Sequence, residues 1–232
     1  SQAKFNLENI IKSKLLLSQI ENFDYPSNKN KKNFIKSFFN KFFRSSSQLI
    51  QNPFISNLQV EPELIKNLYN VKSIELNKIK NNYTEIFNQT DARYGNGNCS
   101  DFKLFENNIP ILKKVEKDLT KIMIKAVKSK IFIMDSFVNI YNSGSGSKPH
   151  YHIKEFDKIN ELIDKKFSLT YYPLIGDQNC KEPGILKMYD PYVEILPSEG
   201  TIVIIPAFRK HSATYDGKKD RVMIGVNFYS II

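Results

Sequence analysis

GSGSKPHYHIKEFD, residues 144–157, places two histidines one residue apart just after a flexible run of Gly and Ser. The whole chain of 232 residues holds only three histidines. Two are His150 and His152 in this stretch, and the third is His211 in IIPAFRKHSATYDG, residues 204–217. On a β-strand, residues two apart point to the same face, so His150 and His152 are expected to project together from one strand. His211 follows TIVIIPA (201–207) at the edge of another apolar run. A closed jelly roll can bring such an edge to the first pair. Three converging imidazoles make a metal site. A lone histidine is more often a surface or packing residue, but here every histidine of the chain falls inside the pattern, which favours the metal.

Outward from that stretch the sequence reads as short strands separated by turns. KIFIMDSFVNIY (130–141), FSLTYYPLI (167–175), GILKMYD (184–190), VEILP (193–197), TIVIIPA (201–207) and RVMIGVNFYSII (221–232) are rich in β-branched and aromatic residues. Many short strands with few helices between them predict an antiparallel sandwich or jelly roll. One strongly amphipathic helix precedes them, in IPILKKVEKDLTKIMIKAVKS (109–129), and IKEFDKINELIDKK (153–166) has room for a short helix. DARYGNGNCSD (91–101) reads as a loop.

Residues 1–90 have a different texture, and we expect them to form a helical N-terminal region. LENIIKSKLLLSQI (7–20) spaces Leu7, Ile10, Ile11 and Leu15 helically. PELIKNLYNVKSIELNKIKNNYTEIF (62–87) repeats the pattern with Leu64, Leu68, Val71, Ile74, Leu76 and Ile79, with Pro62 suited to a first helical turn. Between them NKNKKNFIKSFFNKFFR (28–44) carries basic residues and paired i, i+4 rows of Phe without an acid. Such a helix can lie on an anionic membrane or grip nucleic acid, or pack its Phe face on the core, and we favour the last. The predicted architecture is therefore α+β: residues 1–90 helical, and 91–232 a double-stranded β-helix with supporting helices.

Composition narrows the classes. Hydrophobic residues make up 41% and charged residues 25%, as in an ordinary globular protein. No run of 18 apolar residues predicts a transmembrane segment. The opening SQAKFNLENIIKSKLLLSQIENFD is too polar and acidic for a secretory signal. Two cysteines, Cys99 and Cys180, are too few for a disulfide framework, which points to a reducing, cytoplasmic setting. The net charge of +10 admits a nucleic-acid partner but does not favour one, because the basic residues are dispersed and the chain is generally rich in Lys, Asn and Ile.

An ordered set of motifs extends the reading. HYH (150–152) is followed by FSLTYYPL (167–174), PGILKMYD (183–190), LPSEGTIVIIPAFRKH (196–211) and then Arg221, ten residues after His211. From DSFVNIYNSGSGSKPHYH (135–152) to the C-terminus, this order resembles the double-stranded β-helix of the 2-oxoglutarate/Fe(II)-dependent oxygenases, in their prolyl-hydroxylase-like branch. The resemblance implies an oxygenase that hydroxylates a C–H bond while 2-oxoglutarate becomes succinate and CO2. It implies Fe(II) and 2-oxoglutarate as cofactors, with His150 and His211 as metal ligands and His152 at the position where most members carry Asp. Arg221 would clamp the distal carboxylate of 2-oxoglutarate, a role that suits a guanidinium because it can donate two parallel hydrogen bonds. Tyr172 would donate its hydroxyl to the same carboxylate, and Tyr141 would line the pocket. Strand alternation puts Ser168 and Thr170 on the face of Tyr172, a polar stripe that a dry core would not favour. Gly184 would permit a close backbone approach, and Leu186 would line the pocket.

His152 is the departure from the family pattern. It removes one negative charge from the metal shell. Glu155 or Asp157 could supply it, although their odd spacing from His152 argues against a shared strand face. Imidazole remains a suitable ligand for iron. Two other readings compete. A cupin-like three-histidine metalloprotein would fit Gly144 and the HxH pair, but eleven positions separate Gly200 from His211, which is long for a cupin. A non-catalytic β-helix interaction module would fit the missing Asp, but not the presence of Arg221 and all three histidines. The substrate itself, protein or small molecule, is not named by the sequence.

Overall fold

The computed structural model describes residues 52–78 and 92–231. The helix expected at 7–20 and the basic Phe-rich helix at 28–44 lie outside these residues. The described elements run β1 (Phe54–Asn57), α1 (Pro62–Tyr69), β2 (Ser73–Glu75), β3 (Arg93–Tyr94), β4 (Gly97–Ser100), α2 (Pro110–Val127), β5 (Lys130–Tyr141) and β6 (Ser145–His150). They continue with α3 (Glu155–Ile159), β7 (Lys166–Leu174), β8 (Leu186–Met188), β9 (Val193–Ile195), β10 (Thr201–Pro206), β11 (His211–Tyr215) and β12 (Arg221–Ile231). Two antiparallel sheets result. The larger has the order β1-β10-β7-β12-β5-β4-β2, and the smaller β3-β6-β11-β8-β9. This is the jelly roll expected from the strand pattern.

Alternation along the strands of the larger sheet sorts its two faces. Phe167, Leu169 and Tyr171 of β7, Ile202 and Ile204 of β10, and Val222, Ile224, Val226 and Phe228 of β12 form one apolar face. Leu112, Val115, Leu119 and Met123 of α2 cover it, as does Leu64 of α1. The i, i+3/i+4 spacing in α2 matches this one-sided burial, and Pro110 occupies its first turn, where the missing N–H costs nothing. The residues between these positions turn toward the smaller sheet. They include Ser168, Thr170, Tyr172, Arg221, Asn227, Asn139 and Tyr141, with Val203 and Ile205.

Three expectations are corrected. The helical pattern from Pro62 ends at Tyr69, and Ser73–Glu75 forms an edge strand instead. Pairing of Ile74 with Cys99, with Leu76 buried against Cys99, Tyr141 and Tyr215, outweighs helical propensity there. Phe54–Asn57, also within the region expected to be helical, is a strand paired with β10. The stretch 91–101, read as a loop, holds β3 and β4. Gly95 and Gly97 provide the positive φ that its tight reversal needs.

Leu119 is fully buried where α2 meets the larger sheet. Leu119→Ala should lower the unfolding free energy by about 2–5 kcal/mol in urea titration, through lost burial and the cavity left behind.

Candidate metal and cosubstrate site

The three histidines meet, although not quite as the strand argument predicts. β6 ends at His150, and His152 lies beyond it in irregular chain. His150 pairs with His211 across the β6–β11 ladder, where a bulge separates His211 from Ala213. His152 returns to the cluster through its backbone N–H, which donates to the Ala207 carbonyl at 2.9 Å. Ring centres lie 4.4 Å apart for His150–His211, 4.9 Å for His152–His211 and 5.0 Å for His150–His152. One ring nitrogen of each lies within 4.8 Å of those of the others.

The chemistry of this donor set fits a metal. His150 Nδ1 donates to the Lys148 carbonyl at 2.7 Å, and His211 Nδ1 donates to the Arg209 carbonyl at 2.9 Å. These contacts put the proton on Nδ1 and the lone pair on Nε2, as in metal-ligating histidines. His152 Nε2 and His211 Nε2 face one another at 3.1 Å. Two nitrogens bound at right angles about 2.1 Å from one ion would lie about 3 Å apart. Burial keeps the rings of His152 and His211 neutral. Desolvation, with the neighbouring histidines, holds His152 well below the ordinary imidazole range, and desolvation followed by His150 lowers His211 to about 3.

Neither candidate carboxylate joins the cluster. Asp157 is buried in an ion pair with Lys166 at 2.8 Å, and Glu155 faces solvent beside Lys158 at 3.4 Å. Among the described residues, the three histidines form the one group able to hold a metal, and it contains no acid.

Arg221 opens β12 at the far end of the same interior. It is 2% exposed. Its Nη2 donates to the Gly184 carbonyl at 2.7 Å and its Nη1 to the Pro183 carbonyl at 3.2 Å. The guanidinium carbon lies 4.8 Å from the ring centre of Tyr172 and 5.8 Å from that of Tyr215. No carboxylate among the described residues pairs with it. A buried cation held only by carbonyls and ring faces is costly until an anion joins it. Gly184 has the close approach expected of it: φ is +85°, and a Cβ there would sit 2.2 Å from Arg221 Nη1.

Register orders the remaining residues between these two ends. Arg221 pairs with Tyr141, Gly225 with Thr170, and Asn227 with Ser168; Tyr229 then pairs with Lys166, beside the histidine end. The Thr170 hydroxyl and Asn227 Oδ1 are buried and have no hydrogen-bond partner among the described residues. Unsatisfied buried polar atoms along this path suit a polar occupant. Leu186 packs with Tyr172, Met188, Val203 and Ile205 on the apolar side of the interior. The Tyr141 hydroxyl accepts from Asn139 Nδ2 at 2.9 Å and lies 3.1 Å from the Ser147 hydroxyl. Asn139 and Asn227 were missed by the sequence reading. Their signal was present in FVNIY (137–141) and GVNFY (225–229), where a polar amide interrupts an apolar strand.

A viral collagen prolyl hydroxylase from Paramecium bursaria Chlorella virus-1, solved with 2OG, aligns at TM-score 0.53 and 13% identity over 77% of this chain and 96% of its own. A prolyl hydroxylase from Trichoplax adhaerens, in complex with a hypoxia inducible factor peptide fragment, aligns at 0.53 and 14% identity over 88% and 94%. The chain has the fold of the 2OG–Fe(II) oxygenases. A member of that oxygenase family from Burkholderia pseudomallei adds a third alignment, at 0.52 and 11% identity over 88% and 94%. At these identities the likeness is one of fold. No family model matches the sequence, and no curated protein does.

Gly184→Ala should displace Arg221, because the added Cβ meets the guanidinium and the backbone φ disfavours a side chain. The expected result is a lowered Tm by calorimetry, larger than that of an exposed Gly144→Ala control, whose Cβ would meet nothing within 4 Å.

Proposed function

We propose that the protein is a 2-oxoglutarate- and Fe(II)-dependent oxygenase that hydroxylates a C–H bond of its substrate. The observation that carries this reading is Arg221, a buried cation without a carboxylate partner among the described residues, in the interior that also holds the three clustered histidines. A metal cation at one end and a guanidinium at the other suit a short dicarboxylate.

His150, His152 and His211 would hold Fe(II) through their Nε2 atoms, and the Nδ1 hydrogen bonds of His150 and His211 fix two of the rings. Bound iron would supply oxygen activation coupled to decarboxylation of 2-oxoglutarate to succinate. Arg221 would pair with the distal carboxylate by charge-assisted hydrogen bonds, with Tyr172 beneath the guanidinium. Thr170, whose hydroxyl lacks a partner, would donate to the cosubstrate along its length. Tyr141 and Leu186 would complete the walls, and the apolar side formed by Leu186, Met188, Val203 and Ile205 would exclude water. The substrate is a protein or a small molecule in class; the net charge of +10 admits nucleic acid, but the dispersal of the basic residues does not favour it, and no described helix is long and apolar enough to cross a membrane.

Anaerobic titration with Fe(II) and then 2-oxoglutarate tests this reading. The wild type should develop a visible metal-to-ligand charge-transfer band. His211→Ala should abolish it, and Arg221→Met should raise the 2-oxoglutarate concentration needed by about 10-fold or more, the equivalent of a lost charge-assisted bond. A folded wild type with no band would overturn the proposal.

A further inference from the structure

His152 is the member of the histidine cluster that no strand carries, so its placement needs a separate cause. Unlike His150 and His211, its ring has no backbone carbonyl as a hydrogen-bond partner among the described residues. Its position depends on the chain that carries it. At one end of that segment the His152 N–H donates to the Ala207 carbonyl, and the Ala207 N–H donates to the Lys166 carbonyl, each at 2.9 Å. At the other end stands Asp157, which is fully buried. Its carboxylate accepts from the Lys154 N–H at 2.7 Å, from Lys166 Nζ at 2.8 Å and from the Tyr229 hydroxyl at 2.5 Å. The segment from His152 to Asp157 is therefore tied to Lys166, the first residue of β7, directly at Asp157 and through Ala207 at His152.

This is an expensive way to hold a loop. A carboxylate and an ammonium are both removed from water, and apolar residues of similar size can provide equal stability. What the ion pair adds is direction: three hydrogen bonds to one carboxylate fix where the segment starts its turn into α3. We propose that Asp157 is a positioning residue, which with Lys166 and Tyr229 holds the loop so that His152 reaches the metal. The inference rests on the three-histidine metal reading. It gives Asp157 a part in the centre without making it a ligand.

Co(II) is a suitable probe, because its visible absorption reports ligand number and geometry without turnover. Wild type, His152→Ala, Asp157→Asn and the double variant Asp157→Asn/Lys166→Met would each be titrated with Co(II) and their folding followed by circular dichroism. The double variant removes the lysine charge that the single variant strands, so it keeps the test open where the single variant does not fold. Asp157→Asn and the double variant should bind Co(II) about 10–100-fold more weakly than wild type, the usual effect of losing an outer-shell support. Their spectra should match that of His152→Ala. A folded Asp157 variant with the wild-type spectrum and affinity would overturn the positioning role while leaving the metal centre intact. Failure of wild type itself to bind Co(II) through the histidines would instead overturn the metal reading, and this inference with it.

Discussion

A strand buried on both faces but apolar on only one must find partners for its polar side. β7 and β12 are in that position. Their outer faces are Phe, Leu, Tyr, Val and Ile packed against α2, and their inner faces carry Ser168, Thr170, Arg221 and Asn227. The apolar face supplies the burial that stabilises the sheet. That leaves the inner face free to hold groups that would destabilise an ordinary core. The site depends on this division: α2 secures the sheet from outside, so the interior can be built for a ligand.

The electrostatics of the interior run in one direction. Burial disfavours the charged forms of His152 and His211, no acid joins the cluster among the described residues, and after desolvation and the neighbouring histidines Lys166 and Arg93 add to the cost of protonating His152. Lys166 is balanced by Asp157, whereas Arg221 has no such carboxylate among the described residues. A divalent ion on a neutral shell would keep its full charge, which the Asp of the usual ligand set would have reduced. A dianionic cosubstrate, as proposed, would offset charge at both ends at once. On the proposed reading, His152 at the position where the resembling oxygenases carry Asp would shift more of the charge balance onto the cosubstrate.

Much of this was legible in the sequence because it depends on local rules. A run rich in β-branched and aromatic residues marked KIFIMDSFVNIY as β5 over its full length, and helical spacing marked α2 within two residues at either end. The convergence of His150, His152 and His211 followed from a strand pair and a strand edge. The pairing of His152 with the strand face did not hold, because a bulge in the β6–β11 ladder and the bond to Ala207 are set by tertiary register. The same limit explains Ser73–Glu75, whose residues fit a helix until the edge of a sheet is available to them. Asp157 illustrates a third kind of miss. The sequence offered it only as a possible ligand, with its odd spacing from His152 against that, and did not show its partners, Lys166 and Tyr229, which lie 9 and 72 residues away.

The most direct test is a crystal structure of the protein grown with Mn(II), an unreactive stand-in for Fe(II), and 2-oxoglutarate. The account predicts one ion bound by His150, His152 and His211, with the distal carboxylate of 2-oxoglutarate against Arg221. An ion held by His150 and His211 with His152 turned away, or a carboxylate bound anywhere but at Arg221, would contradict it.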